Sequence, residues 1–262
     1  GIGIGEDEPE LRTVTESQAV LECHRIIAAT ARERDDIVRH YGVSPQKIGV
    51  VPCGVNTEIF KPQDKQEARR QLGFNDGKIL LFVGRIDPLK GIEQLLEAVA
   101  RLKDKGVRLV VIGGDADSRE VDWLQEMKEK LGLDKQITFQ GLVKHDELPR
   151  FYHAADVTVM PSYYESFGLV GLESLACGTP VVATDVGDMR RIIRQGETGY
   201  VVANNNPEEL AERISRLLAG EDSLKSPDFI SRSVGHYDWS YIARAVSAEL
   251  NRVVKATTAP VA

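Results

Sequence analysis

The chain is poor in the features that would assign it to several large classes. Cysteine is scarce: Cys23, Cys53 and Cys177 are the three in 262 residues, and none forms a CxxC pair. So small and odd a set excludes a disulfide framework and fits a reducing cytoplasm, with each thiol read as a small buried residue. Long apolar runs are missing. The longest, such as ILLFV at 79–83, are strand-sized and far short of the roughly 20 residues that span a bilayer. Basic clusters are missing too; lysines and arginines are spread along helices and the net charge is −7, which excludes nucleic acid as the main partner. The five histidines, His24, His40, His145, His153 and His236, include no HxxxH pair. No repeat or low-complexity tract occurs. The opening GIGIGEDEPE has no signal-peptide pattern and no initiator Met, consistent with a processed chain or an excised piece. Its glycines follow no strand and precede no helical pattern, so a flexible end is expected there rather than a dinucleotide fingerprint.

What is present is an ordinary globular mixture, 42% hydrophobic and 28% charged, long enough for one large α/β domain or two small ones. From about residue 78 short β-branched runs alternate with amphipathic segments. Strands are expected at 78–84, 107–114, 136–141, 156–162, 180–185 and 199–203, near-continuously apolar as strands buried on both faces should be. Helices are expected at 91–106, 119–133, 145–155 and 206–220. This alternation predicts a Rossmann-like, doubly wound parallel sheet of about six strands, with ligands beyond the carboxyl ends of the strands. The first sixty residues supply two helices and two strands, too few for a domain of their own, and 238–255 reads as a long amphipathic helix.

Glu165 and Glu173 lie eight residues apart in YYESFGLVGLESLACGTPVVA. In one uniform helix they would be about 80° apart and about 12 Å along the axis, a poor arrangement for a shared task. The spacing makes sense if the strand ends near Met160, the loop carries Glu165, and a helix begins near Phe167 or Gly168 and ends at Cys177, before Gly178 and Pro180. Amides near Gly168, Leu169 and Val170 then form an anion site at the helix start. Glu173, on the second turn, offers two acceptor oxygens to a ribose diol, while Glu165 faces another part of the ligand. The alternative is an ordinary N-terminal acid and a solvated helix residue. A second loop, VGRIDPLKG, places Gly84 at a strand end and Arg85 and Lys90 beside a helix start, a setting for a diphosphate or else a solvated basic loop. Its Gly-x5-Lys-Gly order is not a P-loop. The Asp115-x-Asp117 pair in GGDAD follows a different strand, and no metal site is assigned to it. His145 is read as capping or beginning a helix, and His153 as packed or at the surface.

Taken together, FVGRIDPLKGIEQLLEAVARL and PSYYESFGLVGLESLACGTPVVATDVG resemble the carboxyl-terminal domain of retaining GT-B glycosyltransferases, the group that includes sucrose synthases, sucrose-phosphate synthases and the glycosyl transferases group 1 enzymes. VVPCGVNTEIFKP, FQGLVKHDELPRFYHAADVTVMPS and GETGYVV fit the same pattern in the same order, so that the resemblance covers about residues 20–255. It implies a nucleotide-sugar-binding domain at 63–237, a linker at 49–62, a tail of the acceptor-side domain at 1–48 and a crossing helix and tail at 238–262. Most of the acceptor domain would be missing, and the chain alone would transfer little sugar.

Residue by residue, the resemblance implies that Arg85 and Lys90, beside Gly84, contact the donor diphosphate and stabilise its departure. Backbone at Ser166, Phe167, Gly168, Leu169 and Val170 would hold phosphate and sugar hydroxyls. Glu173 would hold the ribose, Glu165 would face the transferred hexose, and Leu142 and Val143 would meet the base. Glu165, Arg85 and Lys90 are the expected catalytic set. A UDP-sugar is the favoured donor; no cofactor or catalytic metal is expected, and peripheral membrane association through the missing domain stays open. The sequence departs from the family at Asp188, where a second glycine is usual, and at Arg190–Arg191, where Pro-Glu is usual. A non-catalytic nucleotide-sugar-binding module and a nucleotide-sugar epimerase are the competing functions.

Overall fold

The structure, a computed structural model, describes residues 10–74, 77–104, 106–114, 119–222 and 224–258. They fall into two compact units, one running from Val55 to His236 and one made of the segments up to Gly54 and from Tyr237 on. The GIGIG run and the Asp115–Asp117 pair lie outside the described residues.

The chain enters through helix α1 (Glu10–Glu22), strand β1 (Ile26–Ala28), helix α2 (Ala31–Tyr41) and strand β2 (Ile48–Val50). β1 and β2 pair in parallel, Ile26 opposite Ile48. α2 starts where the sequence TARE closes a reciprocal cap. Thr30 Oγ1 accepts from the Glu33 amide at 2.9 Å, and Glu33 returns a carboxylate oxygen to the Ala29 amide at 2.6 Å. Ala28, Ile37, Val43 and Ile48 form the small core of this unit.

The larger unit begins with α3 (Lys65–Leu72), then β3 (Ile79–Val83), α4 (Ile92–Arg101), β4 (Arg108–Ile112), α5 (Arg119–Lys130), β5 (Ile137–Gly141), α6 (Leu148–Ala154) and β6 (Val157–Met160). It continues through α7 (Leu169–Ala176), β7 (Val181–Thr184), α8 (Met189–Ile192), β8 (Gly199–Val202), α9 (Pro207–Leu218) and α10 (Pro227–Ser233). The last helix, α11 (Trp239–Thr258), belongs to the first unit, where Arg25 reaches its Glu249 at 2.6 Å.

The six strands β3 to β8 form one parallel sheet in the order β5-β4-β3-β6-β7-β8. Every strand expected from sequence is present. Leu80, Leu109, Val110, Val157, Val159, Val181 and Val182 are fully buried, which is what continuous apolar runs require of a sheet covered on both faces. α4 lays Ile92, Leu95, Leu96 and Val99 on the sheet and ends at Arg101 rather than at 106. The stretch expected as one helix at 145–155 is a 3-10 turn, His145–Glu147, followed by α6. The 49–62 run expected to be a linker holds the end of β2 and the buried Val55 and Phe60.

Strand order reverses between β3 and β6. The loops after these two strands flank that switch point, where such sheets bind ligands in a crevice. Those are the loops that carry Lys90 and Glu165.

Candidate functional site

The β3–α4 loop is held to the β6–α7 loop by backbone, not only by side chains. The Tyr163 amide donates to Leu89 O at 2.8 Å. Gly91 has φ +65°, and a Cβ there would come within 2.0 Å of Pro161 O, so only glycine lets the two loops close. Asp87 accepts from the Leu89 amide at 2.8 Å and fixes the turn that presents Lys90. Lys90 Nζ then meets Glu165 Oε1 at 2.7 Å, and Ser162 Oγ donates to the same oxygen at 2.9 Å. Glu165 Oε2 has no hydrogen bond to any described residue. Arg85 differs. Its side chain is 78% exposed, with Asp87 at 3.5 Å, and it does not join the Lys90–Glu165 pair.

α7 begins three residues beyond Glu165. Its first helical bond, from the Leu172 amide to Gly168 O at 3.2 Å, leaves the amides of Leu169, Val170 and Gly171 without intrahelical partners. No acidic residue lies in its first turn and no side chain caps it, so the positive end of the dipole is unmatched within the helix. Gly168 has φ +105°, and a Cβ there would sit 2.4 Å from Met189 Cε. The missing side chain makes room for Met189 at the start of α8. Phe167 is buried and Ser166 exposed.

Glu173 is 7% exposed. Tyr152 OH donates to its Oε2 at 2.8 Å, and His145 Nε2 sits 2.7 Å from its Oε1. Burial, and then the carboxylate itself, push the Tyr152 phenol well above its ordinary range, so it stays a donor. These two partners were missed in the sequence. They lie 21 and 28 residues away, and His145 was read only as a helix start. The idea of Glu173 as a solvated helix residue fails. His145 leans on Phe60, ring centroids 5.0 Å apart, and follows Leu142 and Val143 in the loop after β5. Leu142 is exposed. His153 is buried, its Nε2 donating to Lys61 O at 2.7 Å.

After β7, the Asp188 amide donates to Phe167 O at 2.9 Å and docks this loop on the start of α7. Asp188 is 9% exposed, and burial raises its carboxyl above the ordinary range against the pull of Arg191. Arg190 turns away to Asp185 at 2.6 Å. Cys177 is buried, but Cys23 and Cys53 are half-buried, contrary to expectation; burial raises the thiols of Cys177 and Cys53. Among the described residues no three His, Cys, Asp or Glu side chains are placed to hold a metal, and no helix is long and apolar enough to cross a membrane.

The geometry thus brings together Lys90, Glu165, the α7 amides and, one turn further, Glu173. Comparison with known proteins gives the family. The family described as Glycosyl transferases group 1 matches residues 64–232, and Glycosyltransferase Family 4 matches 9–59. A D-inositol 3-phosphate glycosyltransferase of Streptomyces bingchenggensis is 43% identical over 83% of the chain and 50% of its own length. One from Mycobacterium tuberculosis is 38% identical over 94% of the chain and 52% of its own length. The chain therefore spans about half the length of the curated relatives it matches. Among solved structures, a sucrose-phosphate synthase from Thermosynechococcus elongatus superposes with a TM-score of 0.84 at 31% identity, over 97% of this chain and 65% of its own. An Anabaena protein solved in complex with UDP shares the fold, with a TM-score of 0.82 at 22% identity, over 94% of this chain and 69% of its own.

Proposed function

The chain belongs to the glycosyl transferases group 1 family, and from that premise we propose that it is the donor-binding half of a retaining hexosyltransferase using a nucleoside-diphosphate sugar, UDP favoured. One observation carries the reading. At the point where strand order reverses, a half-buried ion pair joins Lys90 of the β3–α4 loop to Glu165 of the loop that leads into the uncapped start of α7.

The α7 amides and Gly168 receive the diphosphate. Lys90 keeps two further N–H donors beyond the one given to Glu165, and so can hold the sugar-linked phosphate while remaining anchored. Arg85 is recruited from solvent. Glu165 Oε2 accepts from the hexose, Glu173 from the ribose, and Leu142 and Val143 meet the base. In the reaction the bond from the anomeric carbon to the phosphate oxygen breaks, its electron pair leaving on the diphosphate, while an acceptor hydroxyl oxygen bonds to that carbon and its proton passes to the departing diphosphate. Lys90 offsets the charge that develops on the leaving group, so no metal is required.

The rest of the acceptor side lies outside this chain, which by itself turns over little sugar. D-inositol 3-phosphate, the acceptor in the relatives' names, is the first acceptor to offer a full-length protein. We place the work in the cytoplasm; membrane contact, if it occurs, is peripheral and made through the acceptor side.

Calorimetry of the chain with UDP, ADP and GDP tests the reading. Lys90→Ala is expected to weaken diphosphate binding about tenfold or more, the scale of a hydrogen bond to a charged group. Glu173→Ala is expected to lose the preference for ribose over 2′-deoxyribose. Unchanged affinity in both variants refutes the site. Chelator in the titration should change nothing.

A further inference from the structure

The two glutamates at the crevice are not equally ready for a ligand. Glu165 takes both its hydrogen bonds, from Lys90 and Ser162, on Oε1. Glu173 has a partner on each oxygen. Of those partners Tyr152 is permanent: it is fully buried in α6, and its phenol is a held donor. Its side of the carboxylate is closed by packing. His145 is removable. Its side chain is 67% exposed, it opens a three-residue 3-10 turn, and among the described residues its one ring–ring contact is with Phe60. A diol approaching Glu173 must come from the side where the imidazole now stands.

Accepting that Glu173 is the ribose-holding carboxylate, we propose that His145 acts as an internal surrogate for the ribose. Its ring occupies Glu173 Oε1, keeps that buried carboxylate hydrogen-bonded, and must swing out before a nucleotide's hydroxyls can bind. His145 is then a competitor that every nucleotide must displace, and the ligand's hydroxyls decide whether the lost contact is replaced. A ribonucleotide replaces the lost imidazole contact with hydroxyl donors, whereas a ligand without them leaves Glu173 half-satisfied, at a cost typical of an unpaired buried acceptor. The loop with Leu142 and Val143 runs straight into His145, so seating a base there and withdrawing the ring are coupled through a few residues of backbone.

The test is calorimetry on the full 262-residue chain with UDP and 2′-deoxy-UDP. His145→Ala should bind UDP about twofold to fivefold more tightly than the parent, because an exposed competitor worth at most about fivefold has gone. The gain for 2′-deoxy-UDP should be of similar size, because the ring is withdrawn from both complexes. His145→Gln, whose amide can still donate to Glu173, should fall back toward the parent. Circular dichroism of the exposed-site variants checks that folding is unaltered. Equal or weaker UDP binding by His145→Ala overturns the proposal, since the ring is then a bystander or a direct ligand contact. Glu173→Gln separates the two levels. If it erases ribose preference while His145→Ala gives no gain, the surrogate fails and the ribose assignment stands. If it leaves ribose preference intact, the assignment fails and takes the surrogate with it, as does an absence of binding by UDP, ADP and GDP to every form.

Discussion

Asp156 illustrates how single residues position this site from a distance. It precedes β6 and receives Arg69 Nη2 at 2.9 Å, Lys65 Nζ at 3.0 Å and the Ile79 amide at 2.7 Å. Arg69 is 6% exposed and also donates to Ala154 O at 2.9 Å. One carboxylate thus joins α3, the end of α6 and the first residues of the two central strands, β3 and β6, whose far ends carry the Lys90 and Glu165 loops. Replacing it leaves the Arg69 guanidinium buried without its counter-charge. Asp156→Ala is therefore expected to cost about 3–5 kcal/mol in denaturant unfolding, the usual penalty for halving a buried pair. Arg69→Met with Asp156→Leu should lose less than Asp156→Ala alone, because no charge is stranded; a double variant as unstable as the single one would show that hydrogen-bond geometry, not charge burial, dominates.

At the scale of elements, α7 is the decisive piece, and its start depends on two glycines packed on Met189. A Cβ at Gly168 would lie 2.4 Å from Met189 Cε, and one at Gly171 would lie 2.7 Å from Met189 Sδ. Only Gly168 also has positive φ. Gly168→Ala should therefore destabilise by about 1–3 kcal/mol and Gly171→Ala by less, since a thioether end yields more cheaply than a backbone angle. Thermal melts of the two variants decide this; equal losses would mean crowding against Met189 is the whole effect. Elements with strong apolar patterns were legible in the sequence. β3 to β8 are there because nothing but a two-sided sheet buries ILLFV or VRLVVI, and α4 and α9 because their apolar stripes are continuous. α3 was not foreseen, since its sequence KQEARRQL buries only Ala68 and Arg69 and is fixed by ion pairs rather than by a stripe. α8 and α10 are too short to show a period. In the site, sequence could place Lys90 and Glu165 on loops at the same end of a sheet, but their contact crosses 75 positions and depends on strand order. The partners of Glu173 were hidden for the same reason: Tyr152 looks like any apolar helix residue until β6 and α7 fold back over it.

For the molecule as a whole, the groups whose titration is shifted set how stability follows pH, and His153, His236, Asp156 and Asp188 are among those in the larger unit. Burial lowers His153 below 6.5 against the pull of Lys61 O, and burial followed by the Arg194 charge lowers His236. The unfolded chain thus takes up these two protons first. Stability from both is whole above about pH 6.5 and drains away as pH falls through their folded values. Asp156 acts lower down: burial pushes its carboxyl up, but Lys65, the Ile79 amide and Arg69 outweigh it, so its contribution persists above 3.8 and is lost as pH falls beneath that. Asp188 has the opposite sign. Its raised carboxyl favours the folded state below 3.8, and that advantage disappears as pH rises through the folded value. Between pH 8 and 5 the histidines therefore dominate, and the urea midpoint of the 55–236 unit should drop on acidification. His153→Gln keeps a donor for Lys61 O but cannot titrate, so it should flatten the curve below pH 6.5 by up to about 1.4 kcal/mol per pH unit, the most that one proton can give. A slope unchanged by His153→Gln would mean that the imidazole is protonated in the folded state, contrary to its burial.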